Sequence, residues 1–144
     1  YMVSFRGKVH VADLSEETAR LEAPWSLLGK GDMKQGWRPG GYQLFAIHRD
    51  SHRMFIAMHK QGTEGTHKNP ADEIWVVDLV GRKRIGRLPG HGAVALAVSQ
   101  TPAPKLFALD GIKMGIASFD AGAKPRFLKR MEQAAESATQ LELH

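Results

Sequence analysis

Apolar and polar positions alternate along most of this chain in runs of five to seven residues, separated by clusters of Gly, Pro, Asp, Asn and Ser. That period of two marks half-buried β-strands, and the punctuating residues mark turns. Four strands are predicted over residues 42–47, 53–59, 73–78 and 84–88. The pattern then returns: 93–99, 105–109, 115–120 and 126–131 repeat it at an offset of 42 residues. Ile74, Trp75, Val76, Val77 and Asp78 stand opposite Ile116, Ala117, Ser118, Phe119 and Asp120, and an Arg follows each Asp six positions later (Arg84, Arg126).

Residues 2–5, 8–13 and 18–25 read as the last three strands of a preceding unit, with Asp13 ending the second of them. Thr139, Leu141 and Leu143 alternate as if opening another. A repeat of four short antiparallel strands is the signature of a β-propeller blade, which cannot bury its own faces and stacks on its neighbours. The chain is therefore expected to be all-β, with about three blades: the end of one in 1–25, a second in 42–89, a third in 93–131 and the start of a further one in 138–144. An ordinary antiparallel sandwich with similar hairpins is the competing fold. A closed propeller needs roughly four to eight blades, so the chain is expected to be part of a longer one.

Two stretches exceed what the period requires, 26–41 and 60–72. Chain reversal at each turn sends the inter-blade link and the second-to-third-strand connection out at the same end of the sheet. Loops on rigid strands carry binding, so Trp37, Arg38, Tyr42, Glu64, His67 and Lys68 are the candidate contact residues at a subunit interface. Trp37 keeps two readings open: a contact residue, or a plug between blades.

Composition narrows little: 42% hydrophobic and 24% charged residues are ordinary values for a globular protein. No stretch approaches the eighteen or so apolar residues that span a bilayer, so no membrane partner is expected. Without cysteine there is no disulfide, thiol nucleophile or thiolate ligand here. The net charge of +5 suggests an acidic partner. The Lys and Arg residues are scattered over hairpins and form no nucleic-acid module, so nucleic acid is not expected to be that partner. His48 and His52 are four apart, but Arg49, Asp50 and Ser51 between them read as a turn, where helical ligand spacing has no meaning. His59 and His67 flank a long connection without a clear third ligand. His91, in the sequence PGHG, is expected to bond a neighbouring backbone. Asp13, Asp78 and Asp120 read as turn formers. No nucleophile elbow, phosphate loop or dinucleotide fingerprint is present, and adjacent Asp72 and Glu73 point to opposite faces of a strand. No catalytic residue, metal ligand or cofactor-binding residue is expected in this chain.

Five phrases carry a resemblance: PWSLL at 24–28, WRPGGY at 37–42, HRDSHRMF at 48–55, GTEGTHK at 62–68 and EIWVVD at 73–78. Together they resemble the C-terminal part of the heavy subunit of quinoprotein amine dehydrogenases, nearer the aromatic-amine than the methylamine branch. The resemblance implies a seven-bladed propeller and a scaffold role in a periplasmic assembly of two heavy and two light subunits, with a signal peptide upstream of this sequence. It implies that the light subunit holds tryptophan tryptophylquinone and the catalytic base, oxidises a primary amine to an aldehyde and ammonia, and passes electrons to a blue copper protein of azurin or amicyanin type. Trp25, Trp37 and Trp75 are then not the quinone precursors. The alternative function is a free-standing propeller-repeat interaction module without redox activity.

Overall fold

The computed structural model describes residues 1–134 and 136–144. The fold is nearly all β, in three successive antiparallel sheets arranged as a partial β-propeller. In the first, β1 (Met2–Val3) pairs with β2 (Lys8–His10), and β2 with β5 (Trp25–Ser26). Beside it lies a small ladder of β3 (Ala12–Asp13) and β4 (Arg20–Leu21). A short helix α1 (Lys30–Lys34) leads to β6 (Arg38–Pro39). The second sheet is ordered β10 (Lys83–Pro89), β9 (Glu73–Asp78), β8 (Arg53–His59), with β6 and β7 (Phe45–His48) sharing the free edge of β8. The third runs β11 (Ala93–Val98), β12 (Lys105–Asp110), β13 (Ile116–Asp120), β14 (Arg126–Met131).

The middle sheet is a slab with both faces covered, because successive side chains on a strand point opposite ways. Phe55, Ala57, Ile74 and Val76 join Leu96, Val98, Leu106 and Phe119 of the third sheet in one core. Met54, Ile56, Met58, Trp75 and Val77 join Val9, Leu27, Leu28 and Trp37 in the other. All of β8 after Arg53 is buried, which explains why this strand lacks the polar alternation of its neighbours.

The expected strands are modified in four places. The predicted strand over 8–13 and its partner over 18–25 are each divided: Val9 faces Trp25 and Ala12 faces Leu21, so three steps on one side oppose four on the other. Pro24, which has no N–H to donate, falls inside that slip. The inter-blade stretch 26–41 contains α1, whose Asp32 carboxylate accepts the N–H of Gly29 at 3.0 Å. The strand expected at 42–47 begins at Phe45 and has a forerunner, β6, that the hydrophobic pattern does not announce. Residues 41–43 leave the ladder between the two. Ala57 accepts from Gly40 N–H and donates to Leu44 O, while Tyr42 and Gln43 donate to Val94 O at 2.8 and 3.1 Å in the third sheet. Gly41 makes the step possible: its φ is +111° and a Cβ there would lie 2.8 Å from Val94 O.

At the C-terminal end, the strand expected from 138 onward is not formed. Leu141 N–H instead donates to Gln43 Oε1 at 3.3 Å. The strand it approaches, β11, has one edge on β12 and the other against Tyr42 and Gln43, leaving no backbone ladder to join. The expected polar link over 132–140 includes Ala135, which lies outside the described residues. The three strand-ending aspartates cap their turns as expected: Asp13, Asp78 and Asp120 accept from the N–H two residues on, at 2.9, 3.0 and 2.8 Å. No helix among the described residues is long and apolar enough to cross a membrane.

Candidate functional site

The six candidate residues divide into a buried one and five half-buried or exposed ones around two cavities. Trp37 is 1% exposed. Its ring packs on Trp75 at 5.3 Å between centroids, its Nε1 donates to Gln35 Oε1 at 3.2 Å, and Lys60 and Arg87 lie over it at 5.0 and 5.5 Å. The ring therefore fills space between the first and second sheets, and the plug is the reading its burial supports. An aromatic in a Gly- and Pro-rich loop suggests surface contact only until its distant partner, Trp75, is known.

Arg38, half-buried on β6, donates to Trp37 O at 2.6 Å. It lines a cavity of about 390 Å³ together with Glu64 and with Phe5, Arg6, Met33 and Gly62. Tyr42 is 55% exposed, and Lys68 Nζ lies 5.4 Å from the centre of its ring. Both line a second cavity of about 260 Å³, where the start of β11 meets Gly111, Ile112 and residues 137–139. His67 is exposed, and its carbonyl accepts Gly41 N–H at 3.0 Å between the two cavities. The fold thus brings Arg38, Tyr42, Glu64, His67 and Lys68 to one end of the sheets.

The connection over 60–72 is organised by Gln61. Its carbonyl accepts from Thr66 Oγ1 at 2.8 Å, its side chain accepts from Asn69 Nδ2, and its N–H donates to His59 Nδ1 at 3.1 Å. Gly36 and Gly62 fix the connection against the inter-blade link. A Cβ on Gly36 would meet Lys60 O at 2.6 Å, and one on Gly62 would meet Gly36 O at 2.9 Å.

Sequence reasoning missed Phe5, Arg6 and Met33, which come from a short turn and from a helix hidden in a loop. It also missed the character of His59, which is fully buried with Nε2 lacking a partner. Burial, reinforced by Arg38 and opposed by Asp72, holds that imidazole below its ordinary pKa. His91 differs from expectation. Its Nε2 finds no partner, and its ring stacks on Phe127 at 4.7 Å because Phe127 of β14 faces the turn. Beside it, burial pushes the Asp110 carboxyl upward, but the N–H groups of Lys113 and Ile112 and the Arg130 guanidinium outweigh that and hold it low. Among the described residues no cluster of three or more His, Asp or Glu side chains is arranged to hold a metal ion.

The family model described as methylamine dehydrogenase heavy chain matches residues 2–140. The methylamine dehydrogenase heavy chain of Methylorubrum extorquens is 32% identical over 118 residues, which cover 81% of this chain and 28% of that protein. Those of Methylophilus methylotrophus and Paracoccus versutus are 32% and 33% identical over 119 residues, covering 82% of this chain and 29% and 28% of theirs. The chain spans less than a third of the length of these curated relatives.

Proposed function

The chain belongs to the methylamine dehydrogenase heavy chain family, and on that premise we propose that it forms part of the non-catalytic heavy subunit of a quinoprotein amine dehydrogenase. The match to heavy chains over residues 2–140 carries this reading. A sheet end whose loops are tied to one another, and which gathers Arg38, Tyr42, Glu64, His67 and Lys68, supports a scaffold role, because a partner binds most cheaply to a surface already in its bound shape.

In this reading the heavy chain seats a small light subunit on that end, and Trp37 keeps the underlying sheets in register. The light subunit bears tryptophan tryptophylquinone, which supplies a two-electron acceptor for amine carbon. A primary amine and water yield an aldehyde, ammonia, two protons and two electrons, and the electrons pass to a blue copper protein. The assembly contains two heavy and two light subunits and works in the periplasm.

The two buried tryptophans of this chain do not fit the cofactor. Trp37 and Trp75 touch, but they are 1% and 0% exposed and are capped by Lys60, Arg84 and Arg87, so no substrate amine reaches either ring. The test is to purify the native heavy chain with whatever accompanies it and record masses, the visible spectrum and amine-dependent reduction of a blue copper protein. A small quinone-absorbing companion that reduces copper on addition of a primary amine is expected. A heavy chain that purifies without such a companion, as a homo-oligomer, would overturn the reading and leave an interaction module. A panel of methylamine and arylalkylamines tests the assignment to the aromatic-amine branch.

A further inference from the structure

His59 is the last residue of β8, at the root of the 60–72 connection. Its side chain is fully buried, and its Nδ1 accepts the Gln61 N–H at 3.1 Å. A ring nitrogen that accepts carries no proton, so the imidazole is neutral with its hydrogen on Nε2. Nε2 meets no partner among the described residues. Main chain closes over that edge of the ring: a Cβ on Gly40 would lie 2.4 Å from His59 Cδ2 and 2.9 Å from Nε2. The ring therefore has little space in which to turn Nδ1 away from Gln61.

A second proton would go to Nδ1, where two donors would then oppose each other across the present hydrogen bond. It would also bury a charge where no water reaches. Burial holds the imidazole below its ordinary pKa; Asp72 opposes that effect and Arg38, which pairs with His59 across β6 and β8, reinforces it. Of the other charged groups nearby, Glu73 turns to Trp75 Nε1 and Arg87, and Lys60 to the Trp37 ring. The turn before β2 brings the ring of Phe5 to 6.3 Å between centres, and Arg6 and Glu64 line the cavity that Phe5 shares.

What Gln61 holds is local. Its carbonyl and side chain gather Thr66 and Asn69, and Thr63 N–H donates to the same carbonyl at 2.6 Å. Beneath it Asp72 N–H donates to Met58 O at 2.8 Å, and β8 pairs with β9 without help from Gln61. We propose that neutral His59 latches the 60–72 connection, and that a proton on its Nδ1 frees Glu64, His67 and Lys68 while the sheets stay paired. On the heavy-subunit reading, on which this consequence rests, the seat for the light subunit is fully formed above the ordinary imidazole value near 6.5. It loosens as pH falls from there through the lower latched value.

Hydrogen exchange of the intact heavy chain between pH 7.5 and 5, expressed relative to an unstructured peptide at each pH, tests the latch. In wild type the protection of the Gln61, Thr63 and Asn69 amides should fall by about threefold or more. The ceiling is roughly thirtyfold, set by a freed imidazole that titrates near 6.5. The amides of Ile56 and Trp75 in the strands should stay protected throughout. His59→Gln, whose side-chain oxygen accepts from Gln61 without ionising, should remove the dependence. Asp72→Asn keeps an acceptor for the Lys60 N–H and should deepen the loss at pH 5, whereas Arg38→Gln should lessen it. If His59→Gln melts too low for comparison, that opposed pair carries the test. Loop protection that ignores pH, falls equally in His59→Gln, or is lost only together with that of the strands would overturn the latch. Light-subunit affinity should fall over the same range in wild type and not in His59→Gln, and affinity that ignores pH would overturn the link to the seat. A heavy chain whose connection loosens as expected but which binds no light subunit at any pH would overturn the heavy-subunit reading and leave the latch.

Discussion

Replacing Trp37 by Ala separates a plug from a contact residue, because the two roles spend the same side chain on different equilibria. A fully buried indole removes about 200 Å² from water, which at about 25 cal/mol per Å² corresponds to roughly 5 kcal/mol as an upper bound. Contact with Trp75 and the charge of Lys60 over the ring add about 1 kcal/mol each. Arg87 loses little, since it also lies 5.2 Å from the centre of Trp75. Partial collapse of the site offsets some of this loss, so the expected cost is about 3–5 kcal/mol of folding stability. In a cooperative unit the length of this sequence that lowers the melting midpoint by roughly 10–15 °C, and by proportionately less in a longer heavy chain. Thermal and urea unfolding of the heavy chain measure the loss, and light-subunit affinity is measured well below the new midpoint. Trp37→Phe, which keeps an aromatic ring against Trp75, should restore roughly half of the stability. A Trp37→Ala protein within about 1 kcal/mol of wild type in stability, yet binding the light subunit about 2 kcal/mol more weakly, would refute the plug.

Gly90→Ala should destabilise by about 2 kcal/mol or more, because its Cβ would lie 2.4 Å from Ala71 O, whereas Gly86→Ala, with 3.6 Å to Val76, should be within about 0.5 kcal/mol of wild type; paired melts check this. Arg130→Met strands the buried Asp110 carboxylate and should cost about 3 kcal/mol in urea unfolding. Adding Asp110→Leu should recover only part, since Asp110 also accepts the N–H groups of Ile112 and Lys113. His59 and His91 are both held below their ordinary pKa, so the unfolded chain binds more protons than the folded one. The stability tied to their neutral forms is complete above the unfolded value near 6.5 and is lost as pH falls through the lower folded values. Melting midpoints between pH 7.5 and 5 should therefore fall, with a shallower slope in His59→Gln.

The strands that bury both faces were the most legible part of the sequence. Residues 54–58 and 74–77 are apolar throughout, and the period of two assigns each residue to a face. What stayed hidden depends on contacts between distant residues. β6 exists because Met58 and His59 offer it an edge, and α1 is one turn held by Asp32, Arg84 and Arg87. The exposed members of the candidate site followed from loop length and chain reversal alone. Phe5 and Arg6 did not, because a two-strand turn is short everywhere, and only its distance from Arg38 in space gives it meaning.

Tyr42 and Gln43 take their hydrogen bonds from the third sheet while Gly40 and Leu44 take theirs from the second. The boundary between adjacent repeats is thus crossed by main chain, and unfolding either sheet alone must break this crossing. The two sheets should open as a single kinetic unit. In native-state hydrogen exchange the amides of Tyr42, Gln43 and Leu96 would then exchange in step with those of the buried strand β8, so the 42-residue period read from the sequence would be shorter than the segment that opens cooperatively.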